Sequence, residues 1–214
     1  MTPLLHTESL AAQRAERVLF RGLDLALHPG EVVWLRGRNG RGKTTLLRIL
    51  SGLSSPEQGA VQVAIGHAQV SPRDAAARGD IVYIGHANAL KDDLLAAEAL
   101  EFLARVHGQQ PSTHDITQAL TRLGVAGHAQ AAVRTLSQGQ RRRVALARLA
   151  LASESRIWLL DEPFDALDDV GVHTLNGLLS EHAASGGAAL LTSHQALVLQ
   201  DPQPRVLNLD SAAS

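Results

Sequence analysis

Residues 37–44 combine three glycines with a lysine and a threonine in an order that suits phosphate binding. The run matches G-x-x-x-x-G-K-[S/T] at every position and is followed by Thr45; its residues are Gly37, Arg38, Asn39, Gly40, Arg41, Gly42, Lys43 and Thr44. Glycines let backbone N–H groups turn inward around phosphate oxygens, and a helix that begins here adds its N-terminal dipole. We expect Lys43 to reach the β- and γ-phosphates of a nucleoside triphosphate and the Thr44 hydroxyl to help hold Mg²⁺. The backbone of Arg38 and Arg41 belongs to this loop, whereas their side chains are expected to remain in solvent.

Two adjacent carboxylates, Asp161 and Glu162, directly follow an apolar run at 157–160. Asp161 suits the magnesium-binding carboxylate of phosphate-loop proteins. Glu162, one residue further, is placed to polarise an attacking water as a general base. Apolar runs often end in Asp, so this pair says little by itself. Because it follows a phosphate loop along the chain, it predicts hydrolysis of a nucleoside triphosphate.

Apolar runs precede both motifs and predict the strands that carry them. Residues 32–35, 81–84, 157–160 and 188–191 are apolar throughout, as in strands buried on both faces of a parallel sheet. Residues 206–209 suggest a last short strand. Helical patterns separate these runs, which indicates a mainly parallel α/β core. Ligands bind at the carboxyl ends of the strands in such a sheet, where both motifs stand.

The segments outside this core have their own patterns. Leu23, Leu25 and Leu27 alternate with Asp24, Ala26 and His28 and predict one half-buried strand. An apolar helix face is predicted from residues at helical spacing, namely Leu95, Ala99, Phe102, Leu103 and Val106. A capping box is predicted at 115–118, and Gly124 would end that helix. We therefore predict a single domain over 1–214 with a helical subdomain at about 92–152.

Composition excludes several classes of protein. The net charge of −1 gives no global attraction to nucleic acid or to anionic lipid. There is no cysteine, so neither disulfides nor thiolate metal sites can form. No apolar run approaches the length of a membrane span, and residues 1–10 lack the pattern of a signal peptide. We expect any membrane role to depend on partner subunits.

The decisive motif is Leu136-Ser137-Gln138-Gly139-Gln140, which resembles the signature LSGGQ of ABC (ATP-binding cassette) proteins, with Gln138 in place of the first glycine. The resemblance covers essentially the whole chain and implies an ABC-type P-loop ATPase with an N-terminal antiparallel β subdomain. In that family Ser137, Gly139 and Gln140 would contact ATP held by the opposite subunit, which implies a homodimer. The arginines at 141–143 invite a nucleic-acid interpretation, but we expect a solvated helix face.

The resemblance assigns further residues one by one. Residues 165–168 match the D-loop, which crosses to the other subunit, and His194 matches the histidine that contacts the γ-phosphate. His86 stands where most relatives have the glutamine of the lid loop. Arg14 lies near the position of the aromatic residue that stacks on adenine, and a guanidinium can also stack on a flat ring.

Four segments together resemble the haem exporter ATP-binding subunits of bacterial cytochrome c maturation, namely residues 14–23, 83–86, 140–149 and 161–164. This implies a peripheral subunit on the cytoplasmic face of the inner membrane, docked on integral-membrane permease and haem-handling subunits. The histidines are expected to be surface or structural residues rather than haem ligands. The alternatives are an ABC ATPase for another cargo, a soluble ABC protein of DNA repair or translation, and a P-loop kinase of small metabolites.

Overall fold

The computed structural model describes residues 2–15, 17–152 and 154–212. The strands in chain order are β1 (Leu5–Arg14), β2 (Arg17–Leu23), β3 (Ala26–Leu27), β4 (Val32–Arg36), β5 (Gln58–Ile65), β6 (Ala68–Val70), β7 (Ile81–Ile84), β8 (Ile157–Leu160), β9 (Ala188–Thr192) and β10 (Arg205–Asn208). The α-helices are α1 (Lys43–Leu50), α2 (Pro72–Ala77), α3 (Ala96–Val106), α4 (Thr113–Arg122), α5 (Gln138–Leu151) and α6 (Asp169–Ala184). Short 3₁₀ turns lie at Ala126–His128, Val133–Thr135 and Leu209–Ala212.

The strands form an antiparallel and a parallel sheet. The antiparallel sheet has the order β2-β1-β5-β6, with β3 paired to β1. The second sheet has the order β10-β4-β9-β8-β7, and each neighbouring pair in it is parallel. Residues that follow β4, β7, β8 and β9 therefore meet at one edge of the parallel sheet, which brings distant motifs together.

Successive side chains of the parallel strands pack into two separate cores. On β8, Ile157 and Leu159 join α1 and the antiparallel sheet, whereas Trp158 and Leu160 join helices α3 to α6. All four residues are at most 2% exposed. Because side chains of a strand alternate between its two faces, the sheet is covered on both sides. Burial of each such side chain contributes about 1.5–3 kcal/mol and holds the functional edge in place.

The predicted single strand through Leu23, Leu25 and Leu27 is wrong, although the three leucines are buried as their alternation indicated. The chain forms β2 up to Leu23 and the separate strand β3 from Ala26. The ladder breaks because side chains replace backbone partners. Asp24 accepts a hydrogen bond from the Ser9 N–H at 2.6 Å, and Leu25 donates to Thr7 Oγ1 at 2.9 Å.

Two details of the helical region also differ from the predictions. Phe102 and Val106 are 39% and 62% exposed, so the buried face of α3 is formed instead by Ala96, Ala99, Leu100, Leu103 and Ala104. The N-cap of α4 is Ser112, with Asp115 at the third helical position of the capping box. Gly124 follows α4 with a positive φ of 69°, as predicted for the end of that helix.

Helices α3, α4 and α5 occupy most of the stretch for which a helical subdomain at about 92–152 is predicted. The division of 1–214 into one domain with such a subdomain stays a prediction. Within the described residues, no helix combines the length and the apolar composition needed to cross a membrane.

Candidate active site

The phosphate loop lies between β4 and α1, in the strand–loop–helix context that its sequence requires. Gly40 and Gly42 have φ values of 73° and 101°, which a residue with a Cβ rarely adopts. A Cβ on Gly42 would also approach the Leu19 side chain to 3.0 Å. Lys43 Nζ donates to the Gly37 carbonyl at 2.8 Å, so the lysine folds back over its own loop. The loop borders an open cleft of about 350 Å³.

Asp161 and Glu162 enter the same cleft from the end of β8. They are 3% and 8% exposed, and Thr192 at the end of β9 links them. The Glu162 N–H donates to Thr192 Oγ1 at 2.8 Å, and that hydroxyl donates to Asp161 Oδ1 at 2.9 Å. Asp161 Oδ1 and the backbone N–H of Glu162 are thereby fixed at the junction of two parallel strands. Thr192 is absent from the predicted site, although its place at the end of a buried strand, two residues before His194, is a usable signal.

The oxygen atoms that face this cleft are suited to bind a magnesium ion. Asp161 Oδ2 is buried and has no hydrogen-bond partner among the described residues. An unpaired buried carboxylate oxygen is costly unless something compensates for it. Thr44 lines the same cleft and supplies a hydroxyl. Carboxylate and hydroxyl oxygens are the ligands that Mg²⁺ prefers beside substrate phosphates.

His194 lies against Glu162. Its backbone N–H donates to Glu162 Oε2 at 3.0 Å, and its Nε2 is 3.6 Å from Glu162 Oε1. The imidazole is 61% exposed, whereas the Glu162 side chain is 10% exposed. The carboxylate is thus fixed in the wall of the cleft, while the imidazole stands at its mouth.

The structure also brings His86 and Arg14 to this cleft. His86 follows β7, and its Nδ1 is 3.5 Å from Asp165 Oδ2. Arg14 ends β1 beside the phosphate loop. Glu16, part of the segment 14–23 that carried the resemblance, lies outside the described residues.

The signature residues do not join this cleft. Ser137, Gly139 and Gln140 border a different cavity of about 300 Å³, together with Ala166 and Asp168. Ser137 caps α5: its hydroxyl accepts from the Gln140 N–H at 3.2 Å, and its own N–H donates to Gln140 Oε1 at 2.8 Å. A Cβ on Gly139 would lie 2.7 Å from the Ala166 carbonyl oxygen, so the glycine is required by close packing within the chain.

The predicted solvated face of the arginines at 141–143 is wrong for Arg142, which is 3% exposed. Arg41 of the phosphate loop is partly exposed, at 23%, and pairs through Nε with Asp210 Oδ1 at 3.4 Å. Asp210 also accepts from the Arg38 N–H at 3.2 and 3.3 Å, so the turn after β10 braces the phosphate loop. No sequence signal pointed to Asp210, because its contact depends on the pairing of β10 with β4.

Comparison with known proteins decides the family. Residues 20–165 match the ABC transporter family. The cytochrome c biogenesis ATP-binding export protein CcmA of Vibrio vulnificus is 43% identical over 206 residues, which cover 96% of this chain and 99% of the relative. The CcmA protein of Aromatoleum aromaticum is 43% identical over 213 residues, which cover 100% of this chain and 98% of the relative. This chain belongs to the CcmA family of ABC transporter proteins.

Solved ABC structures share the fold of this CcmA-family chain. An ABC transporter ATP-binding protein from Pyrococcus furiosus has a TM-score of 0.81 at 24% identity and covers 98% of this chain and 99% of its own. An ATP-binding cassette solved as a dimer with ADP and Pi has a TM-score of 0.76 at 24% identity. The match covers 89% of this chain and 88% of that structure's chain. The predicted ABC family and fold class, with its parallel and antiparallel sheets, are confirmed, and the chain is an ABC-type ATPase subunit.

Proposed function

We propose that this CcmA-family subunit hydrolyses ATP to power haem export for cytochrome c biogenesis. The observation that carries the proposal is the convergence of Lys43, Asp161 and Glu162 on one cleft, in a chain that matches export proteins along nearly its full length. Asp161 Oδ2, which has no hydrogen-bond partner in the described part of the chain, supports a role for Mg²⁺ in that cleft.

In the proposed reaction, ATP and water give ADP and phosphate. Lys43 and the backbone of 37–45 hold the phosphates, and Thr44 and Asp161 would hold Mg²⁺. When bound, the ion neutralises charge on the phosphate oxygens. Glu162 accepts the proton of the attacking water, since its carboxylate is fixed on one side by the His194 N–H. His194, at the mouth of the cleft, contacts the γ-phosphate.

Two further residues complete the proposed nucleotide site. His86 lies at the point where the chain leaves the cleft toward α3, and we assign it to the lid that senses the γ-phosphate. Arg14 borders the loop on the side of β1, where a guanidinium can stack on adenine.

The active unit in this proposal is a homodimer. Ser137, Gly139 and Gln140 face a cavity separate from the phosphate loop, so one chain cannot place them on its own nucleotide. The N-terminus of α5 is suited to an anion, and a second copy would supply one. Each site would then consist of the phosphate loop of one subunit and the signature of the other.

The proposed place of action is the cytoplasmic face of the bacterial inner membrane. There the dimer would dock on integral-membrane permease and haem-handling subunits, with no contact to nucleic acid. Haem is proposed as cargo because the similar proteins are named for cytochrome c biogenesis and export. Within this proposal the histidines of the chain are surface or structural residues rather than haem ligands.

The test of the chemistry is Glu162→Gln, which keeps the shape of the side chain and removes the base. ATP binding should persist and an ATP-bound dimer should accumulate, while turnover falls by about 10²- to 10⁴-fold. The exposed Glu57 provides a matched control, since Glu57→Gln should hydrolyse ATP at the wild-type rate. Near-normal turnover of Glu162→Gln would remove Glu162 from the mechanism.

The test of the cargo is purification of the tagged chain from its native membranes, followed by mass spectrometry and an absorbance spectrum. Partners of the cytochrome c maturation machinery together with a haem spectrum support the proposal. An unrelated permease without haem would leave the ATPase mechanism standing and would replace haem with another cargo.

A further inference from the structure

A buried arginine of α5 lies beneath the catalytic end of β8. Arg142 is 3% exposed, and its guanidinium donates five hydrogen bonds to the loops that follow β7 and β8. The acceptors are Pro163 O at 3.3 Å from Nε, Gly85 O at 2.9 Å and Asn88 Oδ1 at 3.1 Å from Nη1, and Asp161 O at 3.1 Å and Glu162 O at 2.7 Å from Nη2. The full donor capacity of the side chain is therefore used on two loops of the candidate active site.

These bonds fix a strained backbone. Glu162 has a φ of 47°, a left-handed conformation that is unfavourable for a residue with a Cβ. Such a conformation persists only where the surroundings hold it. Here the Glu162 N–H donates a hydrogen bond to Thr192 Oγ1. Arg142 Nη2 donates one to the Glu162 carbonyl oxygen at 2.7 Å. Both peptide groups that flank the glutamate Cα are held, so these two partners fix the backbone from which the carboxylate extends, and the His194 N–H then holds its Oε2.

The charge of Arg142 is matched to the same loops. Burial lowers the pKa of the guanidinium, while Asp165, Asp161 and Glu162 act in the opposite direction and favour its charged form. An arginine that served packing alone would need no such set of acceptors. Arg148, two turns further along α5, is 5% exposed and has no hydrogen-bond partner at Nε or Nη2 among the described residues.

The helix that carries Arg142 also carries the signature residues. Ser137 caps α5, and Arg142 stands one turn inside the helix. Gly139 packs against the Ala166 carbonyl, and Arg143 pairs with Asp168. A displacement of the N-terminus of α5 would therefore move the anchors of the loops after β7 and β8 within the same chain.

We propose that Arg142 is a positioning residue that orients Glu162 for hydrolysis and links its position to the signature end of α5. The proposal rests on the proposed function, because it assumes that Glu162 acts on a water beside ATP. It assigns Arg142 no contact with the nucleotide. Loss of Arg142 should accordingly impair the chemical step and spare ATP binding.

The experiment compares Arg142→Gln and Arg142→Lys with wild type in the complex purified from native membranes. Steady-state hydrolysis gives kcat and KM, titration with labelled ATP gives the affinity, and thermal unfolding reports the fold. Arg142→Gln should lower kcat by about 10- to 100-fold, the scale of an error of about 1 Å in placing a catalytic group. KM and ATP affinity should change by less than about threefold. Arg142→Lys keeps the charge but loses the planar guanidinium, so its kcat should lie between those of wild type and Arg142→Gln.

Arg148→Met is the matched control, because it removes a similarly buried arginine of the same helix whose Nε and Nη2 have no hydrogen-bond partner among the described residues. Its kcat should stay within about twofold of wild type. Equal losses in kcat and ATP affinity for Arg142→Gln, or an unchanged kcat, would overturn the proposal. If Arg142→Gln does not fold, Arg142→Lys decides by the same criteria. If the wild-type complex does not hydrolyse ATP, the proposed function is refuted. If the wild-type complex hydrolyses ATP and the Arg142 variants do so at the same rate, only the role of Arg142 is refuted.

Discussion

Lowering the pH should weaken this fold through a buried histidine that packs against β8, the strand that ends next to Asp161 and Glu162. His182 on α6 is 5% exposed, and its ring stacks on Trp158 of β8 with centroids 3.9 Å apart and planes 5° apart. Its Nε2 is 3.3 Å from the Ala188 carbonyl oxygen, and the Arg156 carbonyl also faces the ring. A Cβ on Gly187 would collide with the imidazole, so the ring fills its site completely.

Burial lowers the pKa of His182 from 6.5 to about 4, while the two carbonyls act weakly in the opposite direction. The neutral ring is thus favoured in the fold, and each pKa unit corresponds to about 1.4 kcal/mol. The stability from this group is fully present above pH 6.5 and is lost as the pH falls toward 4, because the unfolded chain takes up the proton first. The whole effect is roughly 3 kcal/mol, of which about 2 kcal/mol should be lost by pH 5.

Urea unfolding followed by tryptophan fluorescence at pH 8, 6 and 5 measures this loss directly. His182→Gln removes the titrating group. Between pH 8 and 5, the free energy of unfolding of this variant should therefore fall by about 2 kcal/mol less than that of wild type. His107, whose pKa is also lowered by burial, titrates alike in both proteins and cancels from the difference. His173→Gln, an exposed change on the same helix, should follow the wild-type curve. Parallel curves for His182→Gln and wild type would refute the reasoning.

Two further substitutions test the packing around the nucleotide. Gly139→Ala should lower ATP turnover by about tenfold or more, because its Cβ would lie 2.7 Å from the Ala166 carbonyl oxygen and would displace the signature from the D-loop. Gly177→Ala is the control and should keep full turnover, because its Cβ would meet no atom of the described residues within 4 Å. Asp210→Ala should weaken ATP binding about 3- to 10-fold, since it frees the Arg38 N–H from its 3.2 Å partner and loosens the phosphate loop. An unchanged affinity by ATP titration would remove Asp210 from that role.

The sequence was sufficient for the parts of the site that lie next to a buried strand. The apolar runs before Gly37, Gly85 and Asp161 became β4, β7 and β8, and the run at 188–191 became most of β9. Parallel pairing then brought their carboxyl ends to one edge, as the general rule for such sheets requires. Asp161, Glu162 and His194 meet there because each follows its strand by one or two residues, and Lys43 joins them from the first position of α1, after the phosphate loop.

Sequence was insufficient where a side chain acts across the fold. The predicted buried face of α3 is wrong because Phe102 and Val106 continue its apolar spacing, yet the Phe102 ring lies under the Lys91 ammonium, 4.3 Å from the ring centroid. The N-cap of α4 lies three residues before the predicted one, because Asp115 is itself a common N-cap residue. Asp210 and Thr192 depend on which strands are neighbours, and no local pattern contains that information.

Arg142 shows why a run of three arginines cannot be interpreted from composition. Residues 141 and 143 point to ion pairs with Asp92 and Asp168, whereas residue 142, between them on the helix, faces inward. Replacement of a buried charge by an apolar side chain of similar volume is often neutral or stabilising, so stability alone does not account for an arginine there. Its five acceptors belong to the loops that carry Glu162 and follow β7. The same helix begins at Ser137, so the hydrogen bonds that offset the energetic cost of burying the guanidinium also connect the signature helix to the loop that carries Glu162.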